Sequence, residues 1–334
     1  MRLQWLDACK GFGIALVVAG HIYKEPGQVW GLGPAIFLFH MPFFFIISGI
    51  TFKPSGNMDF VVKRWASLLV PYAAFMGLLI VMNSFVAFIG SSAATPHPSL
   101  KAAIWSGTQL TGDYGVFWFP TCLFLALVLL NGIVQVFGGM TRPLTTMCIA
   151  FFAGVSIYVG LHPQLSGLPW SVANVPLAVA FLWIGFVCGK LRPVTLLILA
   201  IPSGVFSTVL AFMTGHLSFD MKYVDYGTPA LGSIIAMSLS GLIVAISRLY
   251  EGRWMHPFAV LGRYSLPIMF LHQFIHFKLL ALGTMPVFVV FALSLGLSFA
   301  IGVVIESAPA LSTLFLGRGL GAKLLSYRVK EEKA

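Results

Sequence analysis

Six ionisable side chains lie inside apolar stretches of this 334-residue sequence: Asp7, Lys10, His21, His40, His272 and His276. Such a group is costly in an apolar environment and persists where it faces a cavity, a partner or a reaction. Lys10 and His21 are eleven residues apart. At 100° per residue that is three turns plus about 20°, so a helix carries both on one face, roughly 16 Å apart. Asp7, three residues before Lys10, shares the face, and Gly13 and Gly20 flank it. A cation near one end and an imidazole towards the other would form one wall of a reaction tunnel. The same spacing also suits a lysine that snorkels to the interface and pairs with Asp7 while His21 bonds a neighbouring helix.

His40 stands in the run Phe39-His40-Met41-Pro42-Phe43-Phe44-Phe45-Ile46-Ile47-Ser48-Gly49. Pro42 removes a backbone donor and loosens the helix, so carbonyls near His40 need other partners. A catalytic imidazole and a structural one bonded at the kink fit this pattern equally. His272 and His276 are spaced i, i+4, which suits a metal, but no local carboxylate or H-E-x-x-H accompanies them, so no metal is expected. His272 is a candidate site residue and His276 a packing residue.

The elements that must hold these groups follow from composition. The chain is 58% hydrophobic and 9% charged, with a mean hydropathy of +0.93, against about a quarter charged residues in a soluble domain. Apolar runs near the ~20 residues needed to cross a bilayer recur along it. The expected spans are 3–23, 35–52, 68–89, 116–137, 144–161, 172–189, 194–213, 230–246, 266–282 and 287–305. The fold class is therefore all-α, a polytopic membrane protein of about ten helices, with a transmembrane domain over 1–308 and a basic tail over 309–334. The tail is expected along the inner membrane surface.

Of the 20 Lys and Arg residues, Lys10 is intramembrane; with the amino terminus inside, four (Lys24, Lys101, Lys222, Lys278) fall outside and the remaining fifteen inside. The positive-inside rule then places both termini in the cytoplasm. The same bias accounts for the net charge of +10 without nucleic acid, since no basic run is interleaved with aromatics. The four cysteines, Cys9, Cys122, Cys148 and Cys188, show no CxxC or metal spacing and read as packing residues.

In order along the chain, several motifs resemble the membrane acyltransferase family 3. They are Leu6-Asp7-Ala8-Cys9-Lys10-Gly11 with His21 in an Arg/Lys-x10-His arrangement, the His40 run, Lys63-Arg64 ahead of Pro71-Tyr72, and Phe117-Trp118-Phe119. Leu261-Gly262-Arg263-Tyr264-Ser265-Leu266, leading to His272, completes the set. The resemblance runs from residue 6 to about 305 and is greatest to the fucose 4-O-acetylase-like branch, which decorates bacterial polysaccharides. It implies an acetyl-CoA donor, an acceptor hydroxyl on a carbohydrate or lipid-linked saccharide, a bacterial inner-membrane location among membrane lipids, and Lys10 with His21 as the essential pair. Longer relatives carry a fused extracytoplasmic hydrolase-like domain that this sequence lacks, so no step is expected from one.

On that basis His21 is expected to act as general base, with Lys10 and Asp7 beside it on the helix, and His40, Trp118 and His272 to line the acceptor pocket. Lys63, Arg64 and Arg263 are expected to grip the donor's phosphates. Arg192, Arg248 and Arg253 read as topology determinants. No nucleophile elbow or Ser/His/Asp order suggests a covalent enzyme intermediate. The rival from another class is a transporter or flippase of a lipid-linked glycan, which also uses midmembrane histidines and prolines, but paired halves with matching broken helices are not visible. A noncatalytic subunit of a glycan-assembly complex would leave the ordered His and basic motifs unexplained.

Overall fold

A computed structural model of the chain describes residues 3–23, 32–90, 93–214, 217–250 and 252–331. The helices in chain order are α1 (Gln4–Ile22), α2 (Leu32–Phe37), α3 (His40–Ile50), α4 (Asn57–Arg64), α5 (Val70–Phe88), α6 (Leu100–Trp105), α7 (Trp118–Phe137) and α8 (Pro143–Gly160). They continue as α9 (Val175–Lys190), α10 (Pro193–Thr214), α11 (Pro229–Leu249), α12 (His256–Arg263), α13 (Ser265–Ala281), α14 (Val287–Ser307), α15 (Pro309–Leu316) and α16 (Leu320–Glu331). The extended pairing among the described residues is an isolated bridge between Asp220 and Asp225.

Among the described residues, nine helical stretches are long and apolar enough to cross a membrane. The remaining expected span, the ninth at 266–282, is α13, at 17 residues. The protein is thus all-α and polytopic. Ile198, Val205, Phe206, Val209, Phe212 and Met213 of α10 are all exposed, an arrangement that water would penalise and lipid accepts.

Two spans differ from the expected continuous helix. The second divides at Leu38–Phe39 into α2 and α3, with His40 as the first residue of the latter. Pro42 therefore sits in the first turn of α3, where a backbone N–H has no intrahelical acceptor to lose, rather than kinking a helix interior. The third is longer than expected: α4, a π-helical turn over Trp65–Leu69 and α5 run on without a break for 32 residues. Pro71 cannot donate to the carbonyl of Ser67, and the π turn just before it is where the ladder absorbs the missing bond. At 1.5 Å per residue the run is about 48 Å long against a hydrocarbon core of about 30 Å. The basic end of α4 therefore extends beyond the apolar part carried by α5.

The helices pack as two compact units. The first comprises Met1–Phe52, Met147–Ser166 and Ala173–Ser265, with a core of Leu6, Cys9, Phe43, Ile47, Leu196, Val244 and Ala245. Glycines set its closest crossings. A Cβ on Gly11 would overlap the carbonyl of Phe258, one on Gly262 that of Asp7, one on Gly49 that of Leu182, and one on Gly185 that of Ile46. The pairs α1/α12 and α3/α9 thus meet backbone to backbone, as small residues allow in a membrane, where water does not drive helices together. Arg248 donates to the carbonyl oxygens of Cys188 (3.2 Å) and Leu191 (2.7 Å), capping α9, as a cation at a helix C-terminus should.

The second unit comprises Lys53–Thr146, Gly167–Val172 and Leu266–Ala334. Its centre is aromatic: Phe75 stacks on Phe270 at 4.7 Å between ring centroids, and Phe117 lies 4.8 Å from Phe270. The tail, expected along the membrane surface, folds as α15 and α16. Gly317, with φ +64°, is set against the backbone of Ala66, and Gly321 against Lys63.

Candidate active site

α1 is unbroken from Gln4 to Ile22, so Lys10 and His21 share a face with the axial offset of about 16 Å that their spacing requires. Asp7 is buried, while Lys10 and His21 are half-buried. The break between α2 and α3 brings two further rings to His21: Phe37 at 5.3 Å and His40 at 6.2 Å between centroids, with Phe37 and His40 4.6 Å apart. His40 is 5% exposed. Its Nδ1–H donates to the carbonyl oxygen of Ile36 at 3.1 Å, which also accepts from the Phe39 N–H at 3.2 Å where the helix breaks. A carbonyl can only accept, so in the neutral ring that bond leaves the Nε2 lone pair as an acceptor. His21 thus lies in an aromatic and imidazole surround that orients a ring and limits its hydration.

At the other end of α1, Asp7 and Arg263 line an open cavity of about 330 Å³ with Gln4, His256, Ala259 and Val260. Gly262 makes this possible by bringing α12 onto the backbone at Asp7. Two residues expected in different roles, one in catalysis and one on the donor, are neighbours here.

Within the second unit, Lys63 and Arg64 occupy the last turn of α4. Lys63 is exposed and Arg64 half-buried, with the Arg64 guanidinium 4.9 Å from the Phe60 ring centroid. Its Nε is buried with no hydrogen-bond partner among the described residues. Trp118 opens α7 and is 5% exposed. His272 is fully buried, and its Nδ1–H donates to Ile268 O at 2.9 Å. His276, one turn on, is buried with its ring stacked on Phe277. Asp7, Lys10, His21, His40 and Arg263 thus belong to the first unit, and Lys63, Arg64, Trp118 and His272 to the second.

The sequence reading missed Asp113 and Lys278. Asp113 is fully buried and pairs with Lys278 at 2.7 Å. The signals in the sequence are a lone acid in a Ser/Thr/Pro-rich segment and a lysine near the end of the ninth span, which topology alone accounts for.

Residues 3–306 match a protein family described as an acyltransferase domain. The chain is also 31% identical over 140 residues to the Nodulation protein NolL of Mesorhizobium japonicum, a match covering 37% of this chain and 34% of that protein. It spans about a third of the length of that relative. No solved structure matches at a significant level. With nearly every helix and each expected site residue inside the matched segment, the polytopic chain belongs to the acyltransferase family 3.

Proposed function

We propose that the protein transfers acetyl from acetyl-CoA to a hydroxyl of a bacterial glycan or lipid-linked saccharide in the inner membrane. The observation that carries the reading is the placement of His21. It sits on the same face of α1 as Lys10, in the arrangement expected of the family, with its ring set against Phe37 and His40. His21 accepts the acceptor hydroxyl's proton as the oxygen attacks the thioester carbonyl. The tetrahedral intermediate then collapses, breaking the C–S bond, and His21 returns the proton to the departing thiolate. The enzyme is unchanged, and the products are the O-acetyl ester and free CoA. A positioned base contributes typically ~10²–10⁴-fold to such a step. His40, Trp118 and His272 orient the acceptor. The deciding experiment is acetyl-CoA-dependent acetylation of a glycan by the purified protein, and absence of transfer over a panel of glycan and lipid-linked acceptors would overturn the reading.

The donor's phosphates fall to Lys63, Arg64 and Arg263. Arg64→Ala and Arg263→Ala should each raise the apparent KM for acetyl-CoA with little change in kcat, because phosphate contacts are made in ground and transition states alike. Arg248→Ala is the control, since Arg248 caps α9. Donor saturation curves for the three variants check this, and a common response, or none at Arg64 and Arg263, would remove the assignment.

Both termini are cytoplasmic in this proposal, following the fifteen-to-four distribution of basic residues read from the sequence. Reporter fusions after residues 57, 142, 191, 252 and 334 should report the cytoplasm, and those near 27, 100, 163, 222 and 284 the opposite side. A carboxy-terminal reporter found outside would contradict the ten-span topology.

A further inference from the structure

In the second unit a long connection that carries the short α6 joins α5 to α7, and one lysine ties the stretches on both sides of α6 to α13. Lys278 Nζ donates to Ala93 O at 2.7 Å and Thr95 Oγ1 at 3.2 Å on the first stretch, and to Asp113 Oδ2 at 2.7 Å on the second. An ammonium has three N–H donors, so this one head group is fully committed to the connection. Asn83 of α5 reads the same two stretches from the other side. Its Nδ2 donates to Asp113 Oδ2 at 2.9 Å and to the Tyr114 hydroxyl at 3.2 Å, and its Oδ1 accepts from Thr95 N at 3.1 Å. Asn83 and Asp113 are both fully buried. The remaining carboxylate oxygen, Asp113 Oδ1, is buried with no hydrogen-bond partner among the described residues.

A buried ion pair is an expensive way to hold a loop, because desolvation offsets most of the attraction, and an apolar pair of similar volume is often as stable. What it supplies is a single geometry. The segment that follows is docked on α13 residue by residue. Gly115 abuts the side-chain amide of Gln273, where a Cβ would stand 2.7 Å from Oε1. Phe117 packs on Phe270. Trp118 then opens α7. The pair therefore fixes the start of α7, and with it Trp118, against the helix that carries His272.

We infer that Asp113 and Lys278 form a positioning pair for acyl transfer, acting through the 93–117 segment on Trp118 and on the His272 helix of the same unit. This rests on the reading that Trp118 and His272 line the acceptor pocket. Neither charge takes part in a bond-making step.

The test compares Lys278→Met, Asp113→Asn, Trp118→Ala and His272→Ala in the full-length protein purified in detergent, with rates expressed per folded molecule. Asp113→Asn keeps a side-chain acceptor for Lys278, so it carries the test if the methionine variant fails to fold. The expected result is a fall of about tenfold or more in kcat/KM for the acceptor in Asp113→Asn, a larger fall in Lys278→Met, and an acetyl-CoA KM within about twofold of wild type in both. Lys278→Arg, which retains the charge but not the compact three-way donor, should be intermediate. If the pair variants lower only the yield of folded protein and leave per-molecule kinetics at wild type while Trp118→Ala and His272→Ala are impaired, the pair is merely structural and the inference is overturned. If Trp118→Ala and His272→Ala transfer normally, the acceptor-pocket reading fails, and the route proposed for the pair fails with it.

Discussion

His21→Ala should abolish acyl transfer while the protein still inserts and accumulates, and His21→Gln should fail almost as completely. Glutamine keeps hydrogen-bonding capacity and much of the ring's length, but it cannot take up the hydroxyl's proton, so the loss should approach the ~10²–10⁴-fold contribution of a positioned base. His21 is half-buried, near the end of α1, and touches Phe37 and His40 by ring contacts rather than forming the core of its unit, so truncation should leave folding largely intact. Lys10→Arg should retain much of the activity, because the family motif admits either cation, whereas Lys10→Ala should lose it and leave the carboxylate of buried Asp7 without a nearby cation on its own helix. The measurement is acetyl-CoA-dependent glycan acetylation by membranes holding matched amounts of each variant. A His21→Gln protein that acetylates at near the wild-type rate would make His21 structural and move the search for the base to His40 and His272.

The second large effect is on assembly. Gly262→Leu should leave little folded protein, and Gly262→Ala should lower the thermal midpoint in detergent by several degrees, because even a methyl group at this position would overlap the carbonyl of Asp7. Relief requires α12 to separate from α1, an overpacking cost of about 1–3 kcal/mol or more. The same displacement would shift Arg263 away from Asp7 and open the cavity they line. Gly77→Ala in α5 and Gly132→Ala in α7 are the contrasting cases. Nothing lies within 4 Å of either added Cβ, and alanine is favoured over glycine in a helix by about 1 kcal/mol. These two should be neutral or stabilising. Equal tolerance at Gly262 and Gly77 would show that the α1/α12 crossing is looser than the structure has it.

The spans, and the face that Lys10 and His21 share on the first helix, are legible from the residues alone. A bilayer imposes a length and an apolarity on each crossing segment separately, so both are written locally, and the helices lie within three residues of the expected boundaries except at the third span, whose helical run begins at Asn57 rather than at residue 68. The relation of Lys10 to His21 follows from helical periodicity and needed no partner to be legible. Tertiary structure decided what meets what. His40 reaches His21 because the chain turns at Leu38–Phe39, a break that a continuous apolar run does not announce. Arg248 looked like one more topology charge until the last carbonyls of α9 lay beside it. Asp113 and Lys278 are 165 residues apart, and no local pattern joins an acid in a polar loop to a lysine at the end of a distant helix. Burial made them a pair: in water either charge is solvated alone, whereas inside the unit each must find its counterpart, and only the fold specifies which one is within reach.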